Sequence, residues 1–170
     1  MSHEWQRDGY TISTDRERLD LAAIHGYLSK SYWATGIPIE LVKRSIEHAI
    51  CFGIHHEDRQ VGFARVITDR ATFGYIGDVY VLEEHRGRGL SKWLMECIDA
   101  HPELQGFRRW VLVTRDAHGL YRQFGYAPLA RPESYMERLV PDCYRAAAGE
   151  LAPGSSPAPG LTPAPPPDRR

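Results

Sequence analysis

The chain carries 170 residues, with 21 lysines and arginines against 22 aspartates and glutamates and a formal net charge of −1. That balance, with the two signs interspersed, excludes a broad electrostatic footprint for nucleic acid or an anionic membrane, and the length admits one domain with a real core but not two. The three cysteines, Cys51, Cys97 and Cys143, show neither C-x-x-C nor Cys/His metal spacing, so reduced thiols and no bound metal are expected.

From the amino terminus, Met1 to Asp8 is polar and charged. Residues 1–9 read as an N-terminal arm without the apolar core of a signal peptide, and no later run reaches the roughly 18 apolar residues of a membrane span, so the expected location is cytoplasmic. Gly9 to Ser13 alternates polar and apolar residues as a first strand. The spacing Thr14-x-x-Glu17 is that of a capping box, and it predicts a helix on which Leu21, Ile24 and Leu28 share one side. A loop from Ser31 to Pro38 holds Tyr32 and Trp33, and Pro38 opens a second helix, Ile39 to Ala49. Ile50 to Ile54 and Val61 to Thr68 read as strands joined by a polar turn. In that turn His55 and His56 lack a third ligand at metal spacing and are expected to be exposed. Asp69-Arg70-Ala71 then reverses the chain into a strand from Thr72 to Val81.

The most informative stretch follows. Tyr75 to Val81 is rich in aromatic and β-branched residues, His85 to Ser91 is a basic loop with two glycines, and Leu90, Trp93, Leu94, Cys97 and Ile98 fall on one helical face. Strand, glycine turn and helix start together seat an anion, because the first helical N–H groups lack partners and the macrodipole is positive there. Arg86 and Arg88 add guanidinium groups suited to phosphate. The loop is neither a Walker A nor G-x-G-x-x-G. Trp110 to Thr114 is a short apolar run, so a βαβ unit with parallel strands is expected inside a mixed sheet. A short helix over Asp116 to Gln123 and a last strand around Tyr135 to Val140 complete the order. From Ala146 on, a stretch holding seven of the twelve prolines has no apolar face and reads as a disordered tail, residues 146–170. The fold class is α/β (α+β): one domain, residues 10–145, with a mixed central β-sheet flanked by helices.

Two motifs carry a family resemblance. Arg86-Gly87-Arg88-Gly89-Leu90-Ser91 resembles the R/Q-x-x-G-x-G/A pyrophosphate loop of the GNAT superfamily of acyl-CoA-dependent N-acetyltransferases, with Ser91 standing where Gly or Ala is usual. Leu120-Tyr121-Arg122-Gln123-Phe124-Gly125-Tyr126 resembles that family's L-Y-x-x-x-G-F element, with Tyr126 in place of Phe. The resemblance implies coenzyme A in the cleft between the parallel strands, its pyrophosphate on residues 86–91 and its thioester beside Val79, Tyr80 and Val81, whose N–H groups would face the oxyanion. Tyr121 then matches the family's general acid, and acetyl-CoA is the expected cosubstrate, with no metal.

Asp78, on the strand facing the thioester, is the candidate base; Asp116 and His118 are further candidates, although Asp116 reads equally well as the cap of the short helix. The resemblance further implies that the amine binds against the first helical region and the final strands, so Tyr32, Trp33 and Tyr135 are the expected acceptor pocket, and aromatic faces suit an ammonium or an apolar amine equally. The implied activity is direct transfer of an acetyl group to a primary amine of a small molecule, an amino acid or a protein lysine. The alternative is an acyl-CoA-binding sensor or interaction module without turnover. Neither nucleic acid nor membrane is expected as a partner, and a homodimer is left open.

Overall fold

Period-two alternation in the strands and 3.6-residue spacing in the helices set how the chain layers. The computed structural model describes residues 2–140, 143 and 144. Strands β1 (Glu4–Arg7), β2 (Tyr10–Ser13), β3 (Ile50–His56), β4 (Arg59–Thr68), β5 (Phe73–Val81) and β6 (Arg109–Leu112) lie in that order in one mixed sheet. Neighbours run antiparallel throughout, except that β5 and β6 are parallel. Helices α1 (Leu21–Leu28) and α2 (Ile39–Glu47) precede β3; α3 (Leu90–Ala100) makes the crossover between the parallel strands, and α4 (His118–Arg122) follows β6.

Successive strand residues point to opposite faces, so each central strand feeds two cores. Phe52 and Ala64 join Trp93, Leu94 and Ile98 of α3 on one side of the sheet. Cys51 and Phe63 join Ile24 and Leu28 of α1 and Val42 of α2 on the other. Burying a ring such as Phe52 or Phe63, both fully enclosed, stabilises the fold by about 2–3 kcal/mol. Gly74 sits directly across from Trp110 in the parallel pair. A Cβ there would come within 2.6 Å of the Trp110 ring, so only glycine lets that ring lie across the two strands.

Several elements differ from the sequence expectation. The N-terminal arm supplies β1, paired with β2 through a tight turn at Asp8 and Gly9. Thr14 does not cap a helix, because its hydroxyl instead accepts the His3 N–H at 2.8 Å. Asp15 caps a short 3-10 turn, and Asp20 caps α1 by accepting the Ala23 N–H at 2.9 Å. His55 and His56 belong to β3 rather than to an exposed turn, with His55 buried and its Nε2 3.0 Å from the Arg18 carbonyl oxygen. Burial pushes the His55 pKa down.

The last strand expected around Tyr135 to Val140 is not formed; the segment is exposed, and no backbone hydrogen bond runs from Met136 to Val140 among the described residues. Its apolar residues come in adjacent pairs, Tyr135-Met136 and Leu139-Val140, which place one apolar group on each face instead of making a half-buried side. The expected tail, residues 146–170, lies outside the described residues. Among the described residues no helix is long and apolar enough to cross a membrane, and no group of three or more His, Cys, Asp or Glu side chains is placed to hold a metal ion.

Candidate active site

The site begins where the parallel strands part. β5 and β6 are paired only from Phe73–Arg109 to Ile76–Leu112, so among the described residues no strand lies beside the backbone edge of β5 from Gly77 to Val81 on that side. On its other side the β4 register shifts between Phe63 and Arg65, setting Asp78 and Val79 opposite Ala64 as a bulge. Asp78 sits within that bulge with φ 55, a left-handed backbone that costs a non-glycine residue about 1 kcal/mol. The bulge turns the Asp78 side chain into a cleft of about 1760 Å³, room for more than one small ligand.

One lip of the cleft combines an arginine, two glycines and the start of a helix. Gly87 and Gly89 take φ 74 and 75, values that residues with a Cβ avoid, and no atom would lie within 4 Å of a Cβ at either one. Gly89 caps α3 and no side chain bonds to the first amides of that helix, which leaves them open to phosphate oxygens. Arg86 and Ser91 line the cleft. The Arg86 Nε donates to the Val81 carbonyl at 3.0 Å and its Nη2 to the Tyr27 hydroxyl at 3.3 Å, bracing the guanidinium at the end of β5. Arg88 is exposed and is not among the cleft walls, and the Leu90 side chain is buried in the core. The loop thus presents one arginine and the helix amides.

At the far wall stands Tyr121 of α4, 7% exposed. Burial, with smaller contributions from Tyr32 and Tyr75, pushes its phenol up to about 12, so the hydroxyl keeps its proton at any working pH and has it available to donate. Val79, Tyr80 and Val81 line the same space, and Tyr80 is fixed by stacking on Tyr27 with ring centroids 3.8 Å apart and 10° between planes.

Between these walls Asp78 has both oxygens engaged. Oδ2 accepts from the Arg65 Nε, and Oδ1 accepts the Trp33 Nε1–H at 3.0 Å. Trp33 thereby ties the loop between α1 and α2 to the bulge, and Tyr32 packs edge-on to it at 5.0 Å. Of the expected acceptor residues, Tyr32 and Trp33 line the cleft; Tyr135 does not, and lies under the Arg109 guanidinium, 5.5 Å from its ring centre. His118 is exposed and outside the cleft walls. Asp116 lines the mouth but does not cap α4, where the Ala117 N–H donates to the Thr114 hydroxyl at 3.0 Å.

Arg65, Tyr75, Arg115 and Tyr144 also line the cleft and were not singled out from the sequence. For Arg65 a signal exists: it is the one charge between Gln60 and Ile67 in an otherwise apolar run, and such a residue in a buried strand calls for a partner. None of the three cysteines lines the cleft. Cys51 and Cys97 are buried, which pushes both thiols up to about 12, while Cys143 is exposed. A thiol reagent applied to the native protein at pH 8 will therefore modify one cysteine, and three after unfolding. Rapid modification of two or more native thiols, counted by mass, would contradict this packing.

The chain thus joins a sheet parted between parallel strands, a glycine loop with open helix amides, and a tyrosine that keeps its proton on the wall of the same cleft. Comparison with known proteins makes this specific. The profile of the acetyltransferase (GNAT) domain matches residues 47–128. A Gibberella zeae protein assigned as an acetyltransferase is 34% identical over 140 residues, covering 69% of this chain and 78% of that protein. The crystal structure of a Xanthomonas campestris pv. campestris protein assigned to the GNAT family is 54% identical, with a TM-score of 0.79 over 82% of this chain and 99% of that one. At 17% identity, glucosamine-6-phosphate N-acetyltransferase from Arabidopsis thaliana shares the fold alone, with a TM-score of 0.56 over 78% of this chain and 99% of that one. The chain belongs to the GNAT family of acetyltransferases.

Proposed function

We propose that the protein transfers the acetyl group of acetyl-CoA directly to a primary amine in a ternary complex. The observation that carries this reading is the parting of β5 from β6 beyond Ile76, which opens the β5 edge between the uncapped start of α3 and the Tyr121 hydroxyl. Coenzyme A fits those features: amides and Arg86 for the pyrophosphate, and a free strand edge for the amide-bearing pantetheine arm. Among Val79 to Val81, whose amides alternate between β4 and the open edge, those on the open edge face the carbonyl oxygen as it gains charge.

Asp78 has lone pairs left on each oxygen, and through one of them it accepts the incoming amine's N–H, aims the nitrogen at the carbonyl, and receives the proton directly or through water as the C–N bond forms. The C–S bond then breaks, and Tyr121 donates its O–H to the departing sulfur. A phenol at about 12 lies above a free thiol's usual 8.5 or so, so Tyr121 stabilises the thiolate by a hydrogen bond more than by full proton transfer.

The test of the pyrophosphate placement is Arg86→Ala. Losing a charge-assisted hydrogen bond of about 1.5–3 kcal/mol raises the KM for acetyl-CoA roughly 10- to 100-fold with little change in kcat. Arg88→Ala, outside the cleft walls, has the smaller effect. An unchanged KM in Arg86→Ala, from initial rates of thiol release, contradicts the placement.

A further inference from the structure

The acceptor end of the cleft has a composition that selects among amines. Beyond Arg86, which belongs to the pyrophosphate lip, the cations of the cleft are Lys30, Arg59, Arg65 and Arg115. Its carboxylates are Asp20, Asp58, Asp78 and Asp116. Four cations thus meet four carboxylates among the described residues, and the one carboxylate at the bulge is already matched by Arg65. A site for polyamines or lysine-rich peptide tails needs an acidic surplus instead. Around Asp78 the walls are instead the rings of Tyr32, Trp33, Tyr75, Tyr121 and Tyr144, which favour a flat, apolar body.

Arg115 stands at the mouth of this aromatic end. Its guanidinium lies 3.9 Å from the Tyr32 ring centre, and its backbone N–H donates to the Tyr32 hydroxyl at 3.3 Å. Stacking holds the planar group in place while leaving its edge N–H groups free for a carboxylate. Its one ionic neighbour among the described residues, Asp116, is 3.7 Å away, and both side chains are about two-thirds exposed, a pairing too weak in water to occupy it.

Resting on the acetyl-transfer reading above, we propose that the acceptor is an aromatic amine that also carries a carboxylate. Its ring lies among Tyr32, Trp33 and Tyr75, its nitrogen meets Asp78, and its carboxylate is held by Arg115. An aromatic amino acid and an aminobenzoate are both members of this class.

The experiment uses matched pairs that differ only in the carboxylate: phenylalanine with 2-phenylethylamine, and 4-aminobenzoate with aniline, with spermidine beside them. Thiol release gives kcat/KM, and quenching of tryptophan fluorescence gives Kd whether or not turnover occurs. In at least one pair the carboxylated member is expected to be favoured about tenfold or more in kcat/KM or in Kd, with spermidine inactive. The advantage disappears in Arg115→Ala and reverses in Arg115→Glu, both at an exposed position where folding is not at risk. Preference for spermidine, or no carboxylate advantage in either rate or binding, overturns the proposal while leaving acetyl transfer intact. Failure of the transfer reading itself would show separately, as absent acetyl-CoA binding by calorimetry or as binding with no thiol release for any of the five amines.

Discussion

Replacing Tyr121 by Phe is expected to lower kcat about 100-fold while leaving the KM for acetyl-CoA within roughly threefold, because a positioned proton donor contributes on that scale to the chemical step and not to ground-state binding. The substitution removes one oxygen from a ring that is already buried, so the packing of α4 survives and the fold is not at issue. The pH profile gives an independent check. The useful form of Tyr121 is the protonated one, and with the phenol at about 12 that form persists across the whole working range. For an alkylamine acceptor, kcat/KM should therefore rise with pH as the ammonium loses its proton and should not fall again below about pH 10. A descending limb between pH 7 and 9 that vanishes in Tyr121→Phe would place the phenol's titration far lower than its burial implies. A Phe variant with undiminished kcat would remove Tyr121 from the chemistry altogether.

How much of this was legible beforehand divides along a physical line. Arg86-Gly87-Arg88-Gly89 and Leu120-Tyr121 are local signals: a glycine that must take positive φ, an amide left without a partner, a helix that starts where the glycines end. Such requirements are written in adjacent residues, and the structure puts Arg86, Ser91 and Tyr121 on the walls of one cleft. The order of the central strands was equally readable, since buried runs and a crossover helix fix the parallel pair.

What the sequence did not show depends on register. Simple alternation could not decide whether Asp78 faced the cleft, because a bulge breaks the alternation at that residue. The Arg65 partnership joins two different strands, and the Trp33 hydrogen bond spans 45 residues of chain. The missing strand at Tyr135 to Val140 is the converse case: apolar content suggested a strand, but pairing needs a partner edge and a consistent face. The buried state of His55 likewise follows from how β3 packs beneath the Arg18 carbonyl, a contact no local pattern encodes.

The second large effect concerns Asp78 as part of the fold. Its side chain is 9% exposed and that of Arg65 19%, so Asp78→Ala leaves a mostly buried guanidinium without its counter-ion and releases the Trp33 tie. Breaking a buried pair from one side costs about 3–5 kcal/mol, and for a chain of this size each kcal/mol moves Tm by about 2–4 °C; a fall of roughly 6–20 °C is expected by thermal denaturation. Asp78→Asn separates charge from geometry. Asn tolerates the left-handed backbone that Asp78 adopts, and its amide oxygen can still accept one of the two hydrogen bonds, so its Tm should fall between wild type and Asp78→Ala. The double variant Arg65→Met with Asp78→Asn should recover part of the loss, because the stranded charge is then gone. If Asp78→Ala melts within 2 °C or so of wild type, or the double variant is worse than the sum of its parts, the pair is not what holds the bulge. If instead the stability order holds and Asp78→Asn, still folded, loses about tenfold or more in kcat/KM for the amine but not in acetyl-CoA binding, the same carboxylate both braces the sheet where it opens and steers the nucleophile.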